Sequence, residues 1–320
     1  MKYFFVTGAH KSGTSWLASM LRAHPEIEMP NQEMWFFGHP KSLAGKQLHG
    51  AVEKWLTLPT VTKEFHNQQP NRLPAKVARA AITSILKTYR TPSTKALGDK
   101  SPLFSLRATR EIRNIFPEAL LIVIYRDGRD VAVSHHFHNL RLRDFRKYTD
   151  KAEAEAAFHH HIEGGNPAVP LLHRATLEEV CRNWAQANAC ADVAKDEFGE
   201  QFFMTSYEEL WTDPTSFLLR IFTGLGVKDG SDLAEKIAHS KSFSVVTKGR
   251  APGSSDPKSF YRYGVPGDWR NYFDSESAAL FNELAGEWLI RLGYAGNSDW
   301  QTDKPDTPGE LALRRMISPS

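Results

Sequence analysis

YFFVTGAHKSGTSWLASML, residues 3–21, is the stretch whose reading decides the fold. Residues 3–6 are an apolar run of aromatic and β-branched side chains, the pattern of a short buried strand. Residues 8–12 form a turn of small residues. From Gly13 onward the apolar positions Trp16, Leu17, Met20 and Leu21 recur at helical spacing. A strand, a small-residue loop and a helix N-terminus in this order make a site for phosphate or sulfate. The loop N–H groups point at the anion, and the helix dipole favours negative charge there. Lys11 adds a mobile cation, and Ser12, Thr14 and Ser15 add hydroxyl donors. Gly8 and Gly13 have the G-x-x-x-x-G spacing of a nucleoside-triphosphate loop, which then requires Lys followed by Ser or Thr. Here Thr14 takes the lysine's position and the lysine stands inside the loop. That departure disfavours an ordinary ATPase or kinase.

The same order recurs at mid-chain. Ala119-Leu-Leu-Ile-Val-Ile-Tyr125 is the strongest buried-strand signal in the sequence, and such a continuous run suits a central parallel strand covered on both faces. It ends in Arg126-Asp-Gly-Arg-Asp130, and a helix begins with Val131, Ala132 and Val133. An arginine fork at the strand end and a hydroxyl two turns into the helix, Ser134, can grip one phosphate together. Further strands are expected at 27–29, 95–97 and 201–204, with helices at 73–89, 106–116, 178–198, 214–225 and 275–292. This alternation predicts an α/β fold: a single domain with a central parallel β-sheet flanked by helices and ligands at the carboxyl ends of its strands.

Composition sets the outer bounds. The chain has 320 residues, 41% hydrophobic and 24% charged, enough for a substantial core. No apolar run approaches the ~20 residues of a membrane span, and a strand starting at residue 3 leaves no room for a signal peptide. Cys181 and Cys190 are too few for a disulfide framework, so free thiols and a cytoplasmic location are expected. A net charge of +3 points to no nucleic-acid footprint and leaves open a local basic site for a small polyanion. Residues 141–175 break the pattern with a basic run (Arg141, Arg143, Arg146, Lys147), an Ala/Glu stretch and His159-His-His161. Adjacent histidines diverge on either a helix or a strand. The segment therefore reads as a flap or acceptor-side insertion, and no metal site is expected. Residues 1–296 are expected to form the domain, and 297–320 a polar, Pro-rich tail.

Lys11 to Leu17, K-S-G-T-S-W-L after an initial strand, resembles the 5′-phosphosulfate loop of sulfotransferases that use 3′-phosphoadenosine 5′-phosphosulfate (PAPS). RDGRDVAVS, residues 126–134, resembles the 3′-phosphate site of the same family, R-D-x-R-D-V-A-V-S. Arg262-Tyr-Gly-Val-Pro-Gly-Asp-Trp-Arg-Asn271 is similar to the family's R-K-G-x-x-G-D-W-K-N segment. Arg262 and Gly264 match, while Tyr263 replaces the middle lysine, with Lys248 or Arg250 as candidate substitutes. Tyr207 in SYEEL matches a tyrosine near the adenine, and Phe243 in SKSFS matches an aromatic that stacks on it, a contact worth ~1–3 kcal/mol per base.

The resemblance covers residues 3–290 in scattered blocks and implies a P-loop NTPase-like sulfotransferase fold. PAPS is then the donor, adenosine 3′,5′-bisphosphate (PAP) the product, and no metal is required. The implied 5′ side of the donor site is Lys11, Ser12, Gly13, Thr14, Ser15 and Trp16. Its 3′ and adenine side is Arg126, Ser134, Tyr207, Phe243, Arg262 and Gly264. Lys11 would stabilise charge on the oxygen that bridges sulfur and phosphate. Small-molecule members carry a base histidine in a K-T-H segment, but this chain has Gly98-Asp-Lys-Ser-Pro102 there. That segment resembles the E-K-[ST]-P of glycan-modifying and many bacterial members, which use a glutamate in a K-E-x-x-F-F context. Gln32-Glu-Met-Trp-Phe-Phe37 therefore singles out Glu33 as general base, with Lys100 as a second cation and His39 in reserve. The acceptor is a small-molecule or glycan hydroxyl, with no nucleic-acid or membrane partner. The family's K-x-x-x-T-V-x-x-x-E dimer segment is not matched, since Asp274, Ser275 and Ala279 stand at its Thr, Val and Glu positions. The rival readings are a P-loop kinase and a nucleotide-binding module without catalysis. The kinase lacks a metal-binding carboxylate after a strand, since Asp127 sits inside the arginine motif. Lys11, Glu33 and Lys100 speak against the inactive module.

Overall fold

Parallel strands need crossover connections, and the helices between these strands supply them. The computed structural model describes residues 1–39, 41–43, 46–64, 72–146, 148, 151–165 and 169–300. Strands β1 (Lys2–Thr7), β2 (Ile27–Glu28), β3 (Ala96–Lys100), β4 (Leu120–Tyr125) and β5 (Phe202–Ser206) form one sheet in the order β2-β3-β1-β4-β5. Every pairing is parallel. The expected α/β architecture, a central parallel sheet flanked by helices, is the one the chain adopts.

Successive strand residues point to opposite faces, and both faces are covered. Tyr3 and Phe5 enter one core with Leu121, Val123, Phe116, Trp184 and Phe281. Phe4 and Val6 enter the other with Leu17, Leu21, Ile122, Ile124 and Phe222. This double burial is why β1 and β4 are apolar without alternation. On the first face, helices Arg174–Phe198 and Ser275–Arg291 meet through Trp184 and Phe281, whose rings are 5.7 Å apart.

Several details differ from expectation. The strand expected to end at residue 97 continues to Lys100, placing Gly98, Asp99 and Lys100 opposite Phe4, Phe5 and Val6. The weak strand propensity of Gly and Asp yields to the ladder, and a Cβ at Gly98 would lie 2.5 Å from the Phe4 ring. The helix expected over 106–116 is two, Phe104–Arg107 and Thr109–Ile115, broken at Ala108, where φ is −114° and ψ 27°. In the basic and His-rich segment, helix Lys151–Phe158 runs into a π-helical turn, His159–Glu163. His160 Nδ1 and His161 Nε2 donate to the carbonyls of Gly165 and Val169 at 2.8 Å each, while His159 meets Glu163 at 2.9 Å. Those imidazoles serve the segment's own folding. Among the described residues no group of three His, Cys, Asp or Glu is placed to hold a metal. Lys147 and residues 301–320 of the expected tail lie outside the described residues. Trp300, assigned to that tail, is only 3% exposed and packs against Trp269 at 5.5 Å.

Both cysteines are free, and burial pushes the Cys181 thiol up to about 12, which keeps it unreactive. No helix among the described residues is long and apolar enough to cross a membrane.

Sheet order decides where a ligand can bind. From β1 the chain passes to β2 and β3 on one side, then crosses to β4 and β5 on the other. The reversal opens a crevice at the carboxyl ends of β1 and β4.

Candidate active site

The end of β1 delivers the small-residue loop into this crevice. At Gly8 a Cβ would lie 2.1 Å from the carbonyl oxygen of Ile124, and at Gly13, with φ +100°, it would lie 2.8 Å from the Tyr207 ring. Lys11 itself has φ +66°, a conformation costing roughly 1–2 kcal/mol in a residue with a Cβ. Strain of this kind persists only where its surroundings enforce it, and it gathers at functional sites. The following helix, Thr14–Arg22, has no acidic residue in its first turn, so its N-terminal dipole is unopposed. Ser12 is fully buried and its Oγ has no hydrogen-bond partner. Gly13→Ala is expected to lower unfolding free energy by about 1–2 kcal/mol from the backbone alone, more if Tyr207 must shift. Urea denaturation measures it; an unchanged midpoint would show that the loop admits a Cβ.

The end of β4 carries Arg126. Its guanidinium lies 3.3 Å from the Asp130 carboxylate, with the two side chains 13% and 0% exposed. It also reaches the Lys11 carbonyl at 3.5 Å and covers the Tyr207 ring at 4.3 Å. Burial opposes its charge, but Asp130 and the neighbouring acidic groups more than offset this and hold it protonated. Its Nε is buried without a partner. Asp130 accepts further bonds from the backbone N–H groups of Gly267 at 2.8 Å and Trp269 at 2.9 Å. The second anion loop is thereby tied to the segment that holds Arg262, which pairs with Asp268 and lies 4.1 Å from the Phe137 ring centre. Asp127 is occupied structurally. It caps helix Gly128–Arg141 by accepting from Arg129 N at 3.0 Å and pairs with the Arg129 side chain at 2.7 Å.

A cavity of about 420 Å³ joins these elements. Lys11, Gly13, Thr14, Ser15, Trp16 and Glu33 line it, as do Arg126, Ser134, Tyr207, Phe243, Arg262 and Gly264. Of the residues singled out in the sequence, Ser12 and Lys100 lie outside this lining. The Phe243 ring fills the space beside Gly264, where a Cβ would meet it at 2.1 Å. Trp211 completes the aromatic wall and donates to the Gly264 carbonyl at 2.9 Å. The sequence reading missed it, although its position four residues after Tyr207 places both on one helical face. Neither Lys248 nor Arg250 lines the cavity. Arg250 instead braces its loop by donating to the carbonyls of Ser254 at 3.0 Å and Arg262 at 2.5 Å. Lys241, also missed, is the further cation on the wall, and its carbonyl accepts from Trp16 Nε1 at 2.8 Å.

The end of β3 carries Lys100, which donates to Glu33 at 2.6 Å and to Ser15 Oγ at 3.4 Å. Trp35 Nε1 donates to the other Glu33 oxygen at 3.1 Å. Glu33 is therefore held at both oxygens on the cavity wall. Lys100 pairs with Glu33 and not with Asp99. Asp99 instead accepts from Ser101 Oγ at 3.0 Å and from the Met34 N–H at 3.4 Å; burial pushes its carboxyl up to about 6. The reserve base His39 stacks on Trp35 at 4.6 Å and accepts from the Lys41 N–H at 3.1 Å. That spends its Nδ1 outside the cavity lining. The Lys11 ammonium lies 5.1 Å over the Phe260 ring. Burial, and then the charges of Arg141, Arg126 and Lys100, lower it to about 8. His10 and His138 line the cavity as well, and burial holds both below the ordinary histidine range, His138 down to about 4.

Residues 4–230 match the model of the Sulfotransferase family. A flavonol sulfotransferase-like protein of Flaveria bidentis is 26% identical over 185 residues, covering 54% of this chain and 55% of that protein. A protein-tyrosine sulfotransferase of Drosophila melanogaster is 25% identical over 228 residues, covering 71% of this chain and 38% of that protein. The chain thus spans about half or less of the length of these curated relatives. Among solved structures, a mouse sulfotransferase complexed with PAP is 20% identical with a TM-score of 0.48, covering 99% of this chain and 89% of that one. A sulfotransferase from Alicyclobacillus acidocaldarius is 18% identical with a TM-score of 0.42, covering 84% of this chain and 99% of that one. The family match enters in β1 and runs past β5, taking in both anion loops, and the chain belongs to the Sulfotransferase family.

Proposed function

We propose that the chain transfers a sulfuryl group from PAPS to a hydroxyl of a small-molecule or glycan acceptor. One observation carries this reading: Lys11, Arg126, Arg262 and Glu33 line a single cavity, with Lys100 bonded to Glu33. The residues fit a polyanionic nucleotide. Ser12 Oγ and Arg126 Nε are buried polar atoms without partners, and Trp16, Tyr207 and Phe243 offer aromatic faces for a base. The two relatives, a flavonol sulfotransferase-like protein and a protein-tyrosine sulfotransferase, agree by name with sulfuryl transfer. The free cysteines accord with a reducing compartment such as the cytoplasm.

PAPS, when bound, supplies the sulfuryl group. The β1 loop, with Ser12, Thr14 and Ser15, holds the 5′-phosphate end, while Arg126, Ser134 and Arg262 hold the 3′-phosphate. Glu33 takes the acceptor hydroxyl's proton as the acceptor oxygen forms its bond to sulfur. The bond from sulfur to the 5′-phosphate oxygen breaks, and the electron pair stays with that oxygen. Lys11 and Lys100 neutralise the charge that develops there, which stabilises the transition state more than the ground state. Protein cations carry this scheme without calling on a metal.

Isothermal titration of PAP, with and without Mg²⁺, tests the reading. The expected dissociation constant is micromolar or tighter and indifferent to Mg²⁺. Lys11 titrates at about 8, so its charge is present below that pH and lost above it. Affinity is then expected to fall roughly tenfold between pH 7 and pH 9, and Lys11→Met should abolish this slope. No heat from PAP, with heat from Mg-ATP instead, would hand the site to the kinase reading.

A further inference from the structure

Helix Gly128–Arg141 begins beside the Arg126–Asp130 pair and ends at Arg141. Ser134, His138 and Arg141 are spaced by four and three residues and so share one face. The first two line the cavity. The Arg141 guanidinium donates to Nδ1 of His138 at 3.1 Å. Arginine has no acceptor, so this nitrogen accepts, and the neutral ring carries its proton on Nε2. His138 thus offers an N–H donor, and Arg141 a half-buried positive charge held beside it.

Lys11 and Lys241 apart, the cations of the donor site are matched by carboxylates. Lys100 has Glu33 at 2.6 Å, Arg126 has Asp130 at 3.3 Å, and Arg262 has Asp268. Arg141 makes no ion pair among the described residues. Asp144, close in sequence, is held at both oxygens by Arg146, at 2.7 Å and 2.6 Å. The Arg141 charge is nonetheless felt inside the site, where it depresses the Lys11 ammonium more than Arg126 does. A guanidinium without a carboxylate partner, bonded to a histidine of the cavity wall and outside the assigned donor residues, is free to meet an anion that PAPS does not provide.

We propose that Arg141, oriented by His138, binds an oxyanion of the acceptor, so that the favoured acceptors are hydroxyl compounds bearing a carboxylate or a sulfate. This rests on the sulfuryl-transfer reading above. The test is calorimetry on protein saturated with PAP, using matched probes: 4-hydroxybenzoate beside its methyl ester, and glucose 6-sulfate beside glucose. At least one acid is expected to bind about tenfold or more tightly than its neutral partner, the worth of a charge-assisted hydrogen bond. The arm that shows the advantage separates carboxylate from sulfate. Arg141→Met should bring the pair within about threefold while leaving PAP affinity and the melting curve unchanged, and Arg141→Lys should keep part of the preference. Equal binding of acid and neutral probe, no binding by any probe, or an advantage that survives Arg141→Met overturns the proposal. A loss of PAP affinity in Arg141→Met overturns it too, by making Arg141 a donor-site residue. If the wild-type protein fails to bind PAP in the first titration, the sulfuryl-transfer reading itself has failed, and the two failures are distinct.

Discussion

Arg126→Ala is expected to remove PAP binding at micromolar concentrations and to destabilise the fold by about 3–5 kcal/mol, the usual cost of stripping one partner from a buried ion pair. Both effects follow from the same atoms. The guanidinium is 13% exposed and faces a fully buried Asp130 carboxylate, so its loss leaves a negative charge with two backbone donors and no cation. The same guanidinium is the proposed grip on the 3′-phosphate. Urea denaturation and calorimetry separate the two roles when Asp130→Asn is added. The double variant should recover much of the lost stability, since the stranded charge is gone, and none of the nucleotide affinity. A single variant that binds PAP normally would show that the 3′-phosphate sits elsewhere.

Glu33→Gln is expected to cut sulfuryl transfer by ~10²–10⁴-fold, the range for removing a general base, with PAP affinity changed by less than about threefold. Glutamine can still accept from Trp35 Nε1, which now holds one Glu33 oxygen at 3.1 Å, so the side chain keeps its place while losing its basicity. The Lys100 ammonium, bonded to Glu33 at 2.6 Å in the native protein, keeps its place behind that side chain for its proposed part at the leaving oxygen. Steady-state turnover with saturating PAPS reads the effect. Near-normal turnover would move the proton to another group, and His10, kept neutral by burial on the same wall, would be the next to substitute.

The parts of the fold that were legible are those where one local pattern meets one environment. β1 and β4 are unbroken apolar runs because both faces of each are buried, and the turn after each is punctuated by glycine and charge. What was not legible depends on partners far apart in the chain. β3 extends through Gly98 and Asp99 because β1 pairs with it, which local propensity does not report. Glu33 and Lys100 were singled out separately, yet 67 residues separate the two ends of their hydrogen bond. Trp211 and Lys241 look like an ordinary apolar position and an ordinary surface charge until the chain closes around the cavity. The candidates for the cation missing at Tyr263 fared worst. Arg250 is a good hydrogen-bond donor near the right place in sequence, but its guanidinium is spent on the carbonyls of its own loop.

Asp130 holds the segment around Arg262 by the main-chain N–H groups of Gly267 and Trp269. A latch that fastens on main chain is indifferent to most of the side chains it carries. Side chains on that segment, Tyr263 among them, can then be exchanged while its seat on Asp130 stays fixed.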